Sequence, residues 1–245
     1  MNLLTPDYNC DLCPRLKSFI DEARTKFPDK FNGPVPAFGP LSAELLIVGL
    51  APGLKGANFT GRPFTGDYAG DLLYATLHKF GFANNKFEAR PDDGLALINA
   101  RITNAVKCVP PENKPTSEEI NTCRPFLISE IGHMPKLKIV LCLGLIAHNT
   151  MLKTFGLPQS AHKFAHGATH QIKCLNFSSS LGIQDEPRVS VDKLRAHGET
   201  KDNEARKEKA LTLIDSYHCS RYNTNTRRLT TAMFEDVFAT IKKQL

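Results

Sequence analysis

Apolar residues along the chain occur in short runs separated by longer amphipathic stretches. Three runs have the length and aliphatic character of buried parallel strands, and they are Leu45–Leu50, Ile139–Leu143 and Leu211–Ile214. A weaker fourth run is Ile102–Val106. Helical spacing predicts helices at Leu12–Phe27, Tyr68–Phe80, Ser117–His133, Leu145–Phe155 and Thr231–Lys243. This alternation predicts an α/β fold, a three-layer α/β/α sandwich around a central, mostly parallel four-stranded sheet.

Two stretches interrupt the pattern. Residues 53–66 are rich in glycine, and residues 177–209 end in a charge-dense tract. Between Asp192 and Lys209 six basic and five acidic residues nearly cancel, which is typical of a solvated surface segment. We therefore expect residues 1–245 to form a single domain with a surface insertion at about 177–209.

Composition narrows the class of protein. A hydrophobic content of 41% and a charged content of 23% predict a soluble globular chain. The longest apolar stretch, Ile139–Ala147, is far shorter than the roughly 20 residues of a membrane-spanning helix. The N-terminal residues lack a signal-peptide pattern, so we expect a cytoplasmic protein. The net charge of +6 fits a polyanionic partner such as DNA, but also fits solubility alone.

The chain has seven cysteines, and in a reducing compartment thiols are more often metal ligands, nucleophiles or core residues than disulfides. Cys10 and Cys13 form a CxxC motif, and Cys108 and Cys123 form a second, wider pair. Four thiolates can surround tetrahedral zinc or an iron–sulfur cluster, although an incidental CxxC beside buried thiols is the alternative. The wide second spacing suits a loop around a larger cluster. The cysteines predicted to lie in the core are Cys142 and Cys174.

The loop after the first strand, Gly49–Gly70, contains six glycines. Ligands of open α/β sheets bind beyond the carboxyl ends of the strands, and glycine lets the backbone approach them closely. The loop has neither a Walker sequence nor a GxGxxG fingerprint, so we do not expect nucleoside triphosphate binding.

Four segments follow one another in a characteristic order: GLAPG from Gly49, GANFTGRPFTGD from Gly56, ITNAVKCVPPENKPT from Ile102 and SYHCSRYNTNTRRLT from Ser216. Together they resemble family 5 of the uracil-DNA glycosylase superfamily, the type-B iron–sulfur branch. The resemblance covers about residues 10–230, with 177–209 the least matched part. It implies a monofunctional DNA glycosylase that flips uracil out of DNA. Other deaminated or damaged bases are further candidate substrates. Hydrolysis of the N-glycosidic bond would leave an abasic site.

The resemblance also implies a cofactor and a substrate site. The four cysteines at 10, 13, 108 and 123 match the ligands of the family's 4Fe-4S cluster, with zinc as the alternative. Phe64 matches the aromatic residue that stacks on the flipped base, and Asn104 matches the asparagine that reads the uracil edge. Ala51 and Gly53 belong to the same substrate-binding set. Without the motif context, Phe64 would be read as a core residue and Asn104 as a turn residue.

The implied catalytic residues are Asp67, His218 and Asn104. His218 matches the histidine that stabilises negative charge on the departing base, although a lone histidine at a strand end is often structural. Asp67 resembles the aspartate proposed to orient water in this branch. Asp67 also precedes a predicted helix and is a good candidate for its N-cap.

The segment from His218 to Thr230 has three arginines and no acidic residue. We expect the phosphate-binding residues to be Ser220, Arg221, Arg227 and Arg228, and a solvated basic turn is the alternative. Tyr222 and Leu229 are candidates to fill the space that the flipped base leaves. Three residues depart from the family pattern, with Cys219 in place of proline, Arg227 in place of glycine and Phe59 in place of arginine.

Two other functions are open at this stage. A nucleic-acid-binding iron–sulfur protein of the same fold would bind in a salt-dependent way without releasing a base. A redox iron–sulfur protein is disfavoured, because the glycine-rich and arginine-rich loops would then have no role. The glycosylase hypothesis expects uracil-containing DNA, double- or single-stranded, as the partner, and a monomeric protein.

Overall fold

A computed structural model describes residues 2–175 and 208–245, and the structural statements below concern those residues. Five strands form one sheet in the order β2-β1-β3-β5-β4. The strands are β1 (Leu45–Gly49), β2 (Ala100–Asn104), β3 (Ile139–Leu143), β4 (Thr169–Leu175) and β5 (Glu208–Ser216). The first three and β5 pair in parallel, and β4 lies antiparallel to β5 at one edge.

All five predicted helices are present, with ends that differ from the prediction by at most two residues. They are α1 (Pro14–Lys26), α3 (Tyr68–Lys79), α4 (Ser117–Gly132), α5 (Leu145–Thr154) and α7 (Thr231–Gln244). Two short helices add to them, α2 (Ala57–Thr60) and α6 (Arg221–Asn225). Side-chain caps explain why several helices begin where they do: Asp67 caps α3, Thr116 caps α4 in a capping box with Glu119, and Thr230 caps α7.

The two faces of the sheet bury different apolar clusters. On β1, Leu45 and Ile47 face one cluster, while Leu46 and Val48 face the other. Helices α3 and α7 cover the first face, and α4 and α5 cover the second. Since both faces are covered, β1 and β3 read in the sequence as unbroken apolar runs. The predicted three-layer α/β/α arrangement is confirmed.

The predicted number of strands is wrong, because the sheet has five strands instead of four. The additional strand, β4, carries a two-residue alternation in which Ile172 and Cys174 are buried while Gln171 and Lys173 are exposed. Two inward apolar residues give little signal in the sequence. Strand β5 is also longer than predicted, because its first residues pair with β4. The predicted insertion lies outside the described residues from 177 to 207, and its last two residues begin β5.

The carboxyl ends of β1, β2, β3 and β5 meet at one edge, since these strands run parallel. Gly49 at the end of β1 pairs with Asn104 at the end of β2, and Leu143 on β3 pairs with Ser216 on β5. The loops that leave this edge carry the residues singled out above. In the described ranges no helix has the length and apolar character needed to span a membrane.

Candidate active site

Three side chains come together at the end of β1, and they are Phe64 in the glycine-rich loop, Asn104 at the end of β2 and His218 after β5. With Gly49 they are called the Gly49 cluster. A Cβ atom on Gly49 would overlap Asn104 Oδ1 and lie 2.7 Å from Phe64 Cζ. The rings of Phe64 and His218 have centroids 5.9 Å apart and are inclined by 30°. An aromatic ring, a carboxamide and an imidazole therefore lie side by side at the edge where the parallel strands end.

Phe64 is held in an unusual backbone conformation, with φ at 52°. The segment around it is fixed by Arg62, whose Nε donates to Thr65 Oγ1 at 2.8 Å and whose Nη atoms pair with the Asp93 carboxylate. The Arg62 guanidinium holds the pKa of Asp93 well below its usual range. Tyr74 adds a hydrogen bond from its hydroxyl to the Pro63 carbonyl at 2.7 Å. These buried contacts offset the strain at Phe64 and keep its ring at the cluster.

Asn104 is 3% exposed, and its Oδ1 has no hydrogen-bond partner in the described part of the chain. An unsatisfied buried acceptor costs about 1–3 kcal/mol, so such an atom points to a ligand that donates a hydrogen bond. The amide belongs to the last residue of β2 and is thus held by the sheet on one side. Its Oδ1 is thus a fixed acceptor that a bound molecule could satisfy.

A buried charged network fixes the strand that carries Asn104. Glu130 on α4 accepts hydrogen bonds from Arg101 Nε at 2.6 Å, from Thr103 Oγ1 at 2.8 Å and from Lys107 Nζ at 3.0 Å. Burial alone would raise the pKa of Glu130, but Lys107 and Arg101 lower it. Because each charge has a partner, the network is satisfied and ties β2 rigidly to α4.

His218 follows β5 and is half-buried. Its backbone carbonyl accepts a hydrogen bond from Asn223 Nδ2 at 2.8 Å, which fixes the turn. Burial lowers the pKa of His218 to about 4, and in the described residues its ring nitrogens make no hydrogen bond. The imidazole is therefore neutral at physiological pH, with one N–H available as a donor.

Asp67 serves as the N-cap of α3 and also lies against the glycine loop. Its Oδ1 accepts a hydrogen bond from Gly70 N at 3.2 Å, while Oδ2 would be 2.5 Å from a Cβ atom on Gly56. Burial raises the pKa of Asp67. Burial also raises the pKa of Cys219, and the charge of Asp67 adds to that effect, so the carboxylate acts on the residue next to His218. Oδ1 is used in the cap, while Oδ2 faces the glycine loop.

Ala51 and Gly53 follow Gly49 on the loop that leaves β1. Ala51 packs against the apolar cluster that contains Cys108 and Cys123. A Cβ atom on Gly53 would meet Asp67 Oδ2 at 3.6 Å, an ordinary contact. The structure thus connects Gly53 with Asp67, and Ala51 with the cysteines.

The basic loop presents its arginines at the surface. Arg221 lies over the Tyr68 ring at 5.2 Å and Arg228 over the Tyr217 ring at 4.7 Å. Ser220 caps α6 by accepting a hydrogen bond from Asn223 N at 3.4 Å. Arg227 adopts φ 57°, a left-handed conformation, which explains why glycine would suit this position.

The two candidates for the space of the flipped base are placed differently. Tyr222 is 71% exposed, whereas Leu229 is 1% exposed and belongs to the core. The prediction of Leu229 as an inserting residue is therefore wrong, because its side chain packs inside the protein, and Tyr222 is left as the candidate.

Phe59, which departs from the family pattern, packs against Phe27 with ring centroids 4.9 Å apart.

Cys10, Cys13, Cys108 and Cys123 line one small cavity between α1, the loop after β2 and α4. All four are free thiols in apolar surroundings that include Leu16 and Phe126. Burial, and then the neighbouring sulfurs, raise the pKa of Cys13 to about 12. Such crowding disfavours bare thiolates and favours a shared cation that compensates their charge. The predicted core positions of Cys142 and Cys174 are confirmed.

Sequence reasoning gave no individual role to Gly49 or to Leu145 and Ile146. The place of Gly49 as the last residue of an apolar strand, before a glycine-rich loop, indicates that other groups approach the backbone closely there.

Leu145 and Ile146 have the pattern of helix residues, but they are 52% and 46% exposed. Their exposure has no signal in the pattern, because apolar residues at a helix start are ordinarily buried.

Known proteins that are similar to this chain belong to one superfamily. The family model of the uracil DNA glycosylase superfamily matches residues 36–242. The Type-5 uracil-DNA glycosylase of Thermus thermophilus is 38% identical over 240 residues, 96% of this chain and 93% of that protein. The Type-5 uracil-DNA glycosylase of Mycobacterium leprae is 34% identical over 242 residues, 96% of this chain and 90% of that protein. A Type-4 uracil-DNA glycosylase of Pyrobaculum aerophilum is 31% identical over 192 residues, 78% of this chain and 84% of that protein.

The match to the family model spans all five strands and every residue of the Gly49 cluster. The two type-5 relatives align with nearly the whole chain, whereas the type-4 relative aligns with less of it. The chain belongs to the uracil-DNA glycosylase superfamily, in its type-5 branch.

Proposed function

We propose that this protein is a monofunctional DNA glycosylase that removes uracil from DNA and leaves an abasic site. The observation that carries the proposal is the unpartnered, buried Asn104 Oδ1 beside an aromatic ring and a neutral imidazole. The names of the type-5 relatives support the same activity. A base must leave the duplex to reach such a recessed amide, so the proposal includes base flipping.

In this proposal Asn104 reads the uracil edge and Phe64 supports the ring. Uracil presents an N–H donor beside a carbonyl acceptor, and a carboxamide offers the complementary acceptor and donor. Asn104 Oδ1, which has no hydrogen-bond partner among the described residues, would accept a hydrogen bond from the N–H of the base. The Phe64 ring would stack on the base face, which favours any flat base and leaves selection to the amide.

His218 is proposed to donate its N–H to a carbonyl oxygen of the base as the glycosidic bond breaks. The electron pair of that bond then stays on the base, and the negative charge spreads to the carbonyl oxygens. A hydrogen bond from a fixed donor is worth most where this charge develops. A neutral imidazole donates without first taking up a proton, and this fits the lowered pKa of His218.

Asp67 is proposed to act on the sugar side. As the base leaves, the sugar carbon gains positive charge, and a nearby carboxylate stabilises it. A water molecule then bonds to that carbon and gives up a proton, for which Asp67 Oδ2 is the acceptor. Because Oδ1 is held in the cap of α3, the carboxylate keeps a fixed direction during the step.

The wider site is proposed to bind the phosphates through Ser220, Arg221, Arg227 and Arg228, with Tyr222 filling the vacated stack. Uracil-containing DNA, single- or double-stranded, is the proposed partner. Other deaminated or damaged bases stay predictions as substrates. A monomeric state, a cytoplasmic location and a single domain also stay predictions.

We also propose that Cys10, Cys13, Cys108 and Cys123 hold a 4Fe-4S cluster. Tetrahedral zinc with Zn–S bonds of about 2.3 Å would bring the sulfurs to about 3.8 Å from one another. Among the described residues, the set whose ligand atoms all lie within 4.8 Å is His148, His170 and Asp215, which does not include the cysteines. The four sulfur atoms therefore do not all lie within 4.8 Å of one another, and this spacing favours a 4Fe-4S cluster over a single zinc ion. Held by these four thiolates, a cluster would tie the segment before α1 to the loop after β2 and to α4.

The proposal is tested with a duplex that carries one labelled uracil. We expect free uracil in the supernatant and an intact strand that breaks only after hot alkali. Salt-dependent binding without base release would instead establish the binding-only alternative. Substitution of Asn104 by Ala should slow uracil release more than it weakens DNA binding, and equal effects on both would remove Asn104 from the reading role.

A further inference from the structure

Large exposed apolar side chains are concentrated at the edge where the parallel strands end. Seven such side chains occur in the described part of the chain, and four of them, Tyr68, Leu145, Ile146 and Tyr222, belong to elements that leave this edge. Leu145 and Ile146 are consecutive and aliphatic, with exposed fractions of 52% and 46%. Two adjacent aliphatic side chains in water are unfavourable unless a partner covers them.

The position of this pair is fixed relative to the Gly49 cluster. Gly144 N donates to the Ser216 carbonyl at 2.8 Å, which locks the start of α5 to the end of β5. A Cβ atom on Gly144 would lie 3.6 Å from His218 Cβ. Leu145 and Ile146 therefore begin directly beside the turn that carries His218, while Tyr222 lies four residues beyond His218, in α6.

The surroundings suit a polyanion that also offers apolar surface. No acidic residue occurs from 144 to 154 or from 217 to 230, and the second of these segments carries three arginines. The helix start also has no acidic residue in its first turn and no side-chain cap, so its first amide groups are open. Stacked bases and sugar rings next to a flipped nucleotide present apolar faces between phosphates.

We propose that Leu145 and Ile146 form a second duplex-contacting element, which packs against the base pair beside the flipped nucleotide. This inference rests on the proposed function. Tyr222 and the aliphatic pair would contact the duplex from the starts of α6 and α5, next to the turn that carries His218, and would together hold the distorted stack. The occupant is double-stranded DNA, because a single strand has no neighbouring pair to be held open.

The test compares uracil release from duplex and from single-stranded DNA by the double variant Leu145→Ala with Ile146→Ala. We expect the ratio of duplex rate to single-strand rate to fall on the order of tenfold, the loss expected from one partly buried aliphatic contact. The matched control is Ile98→Ala, an equally exposed aliphatic residue just before β2, at the opposite end of that strand. Its ratio should equal that of the parent, and equal ratios in all three proteins would overturn the proposal.

A second measurement does not depend on chemistry. A fluorescent base analogue, 2-aminopurine, placed next to the uracil brightens when its stacking is disturbed, and the double variant should give a smaller rise than the parent. An unchanged rise would overturn the proposal and would leave the pair as a surface for a protein partner. If the parent releases no uracil from either substrate, the proposed function fails, while the fluorescence still tests the duplex contact.

Discussion

Substitution of Asp67 by Asn separates its two roles, because asparagine caps a helix as well as aspartate does. The Asn Oδ1 can accept the same Gly70 N–H that lies 3.2 Å from Asp67 Oδ1. The lost attraction between the carboxylate and the helix dipole is about 0.5 kcal/mol, and the relief of burying a charge offsets it. That burial raises the pKa of Asp67 in the parent. We therefore expect the free energy of unfolding to change by less than about 0.5 kcal/mol.

The rate of base release should respond very differently. Asparagine neither accepts a proton from water nor stabilises a positive sugar, and loss of a general base typically slows a reaction by about 10²–10⁴-fold. Asp67→Ala should show the same loss of rate and, in addition, a stability loss of about 1 kcal/mol from the missing cap.

The assay is single-turnover release of uracil from duplex DNA, with thermal unfolding measured on the same proteins. Thr230→Ala is the matched control for the loss of a helix cap, because the Thr230 hydroxyl caps α7 by accepting a hydrogen bond from Met233 N at 3.2 Å. It should lose about as much stability as Asp67→Ala and keep the parent rate. Release by Asp67→Asn at the parent rate would refute the catalytic role and leave Asp67 as a cap alone.

Three further predictions follow from individual residues. Arg227→Gly should raise the free energy of unfolding by about 1 kcal/mol, since glycine relieves the strain of a φ of 57°. It should also lower the salt dependence of DNA binding by about one charge. An unchanged melting temperature would contradict the stability prediction. The His218 pKa of about 4 lies below its ordinary value of 6.5, so the unfolded chain binds a proton first and stability should fall as pH drops from 6.5 to 4. The rate should show no inflection near 6.5 from this residue, and an inflection that His218→Asn removes would be the contrary result. Cys108→Ser should abolish visible absorption and lower the iron content, whereas Cys174→Ser should leave both unchanged; a colourless parent with stoichiometric zinc would contradict the cluster.

Much of the fold could be predicted because buried strands have a clear apolar pattern in the sequence. Strands β1 and β3 are covered on both faces, so each reads as an apolar run, and capping residues such as Asp67 and Thr116 mark helix starts. Strand β4 was not predicted, because it lies at an edge of the sheet and only Ile172 and Cys174 are buried among polar neighbours. The sequence pattern of an edge strand differs little from that of a loop.

The candidate site depended more on motifs than on physical patterns. Asn104 is a single polar residue within a strand and His218 follows another strand, and nothing in their spacing shows that both lie next to Phe64. The burial of Leu229 contradicts the inserting role suggested by the sequence, and the exposure of Leu145 runs against the usual burial of apolar helix residues. Such contacts arise from tertiary packing, which local sequence does not encode.

The central claim is that the base leaves as an anion that His218 stabilises, and a change of leaving group tests it directly. Fluorine at carbon 5 withdraws electrons and makes the uracil anion more stable, so 5-fluorouracil should need less help from the protein. We predict that His218→Ala slows release of uracil by a larger factor than release of 5-fluorouracil in single-turnover experiments. Equal factors for the two bases would contradict the account, because His218 would then not act on the charge of the departing base.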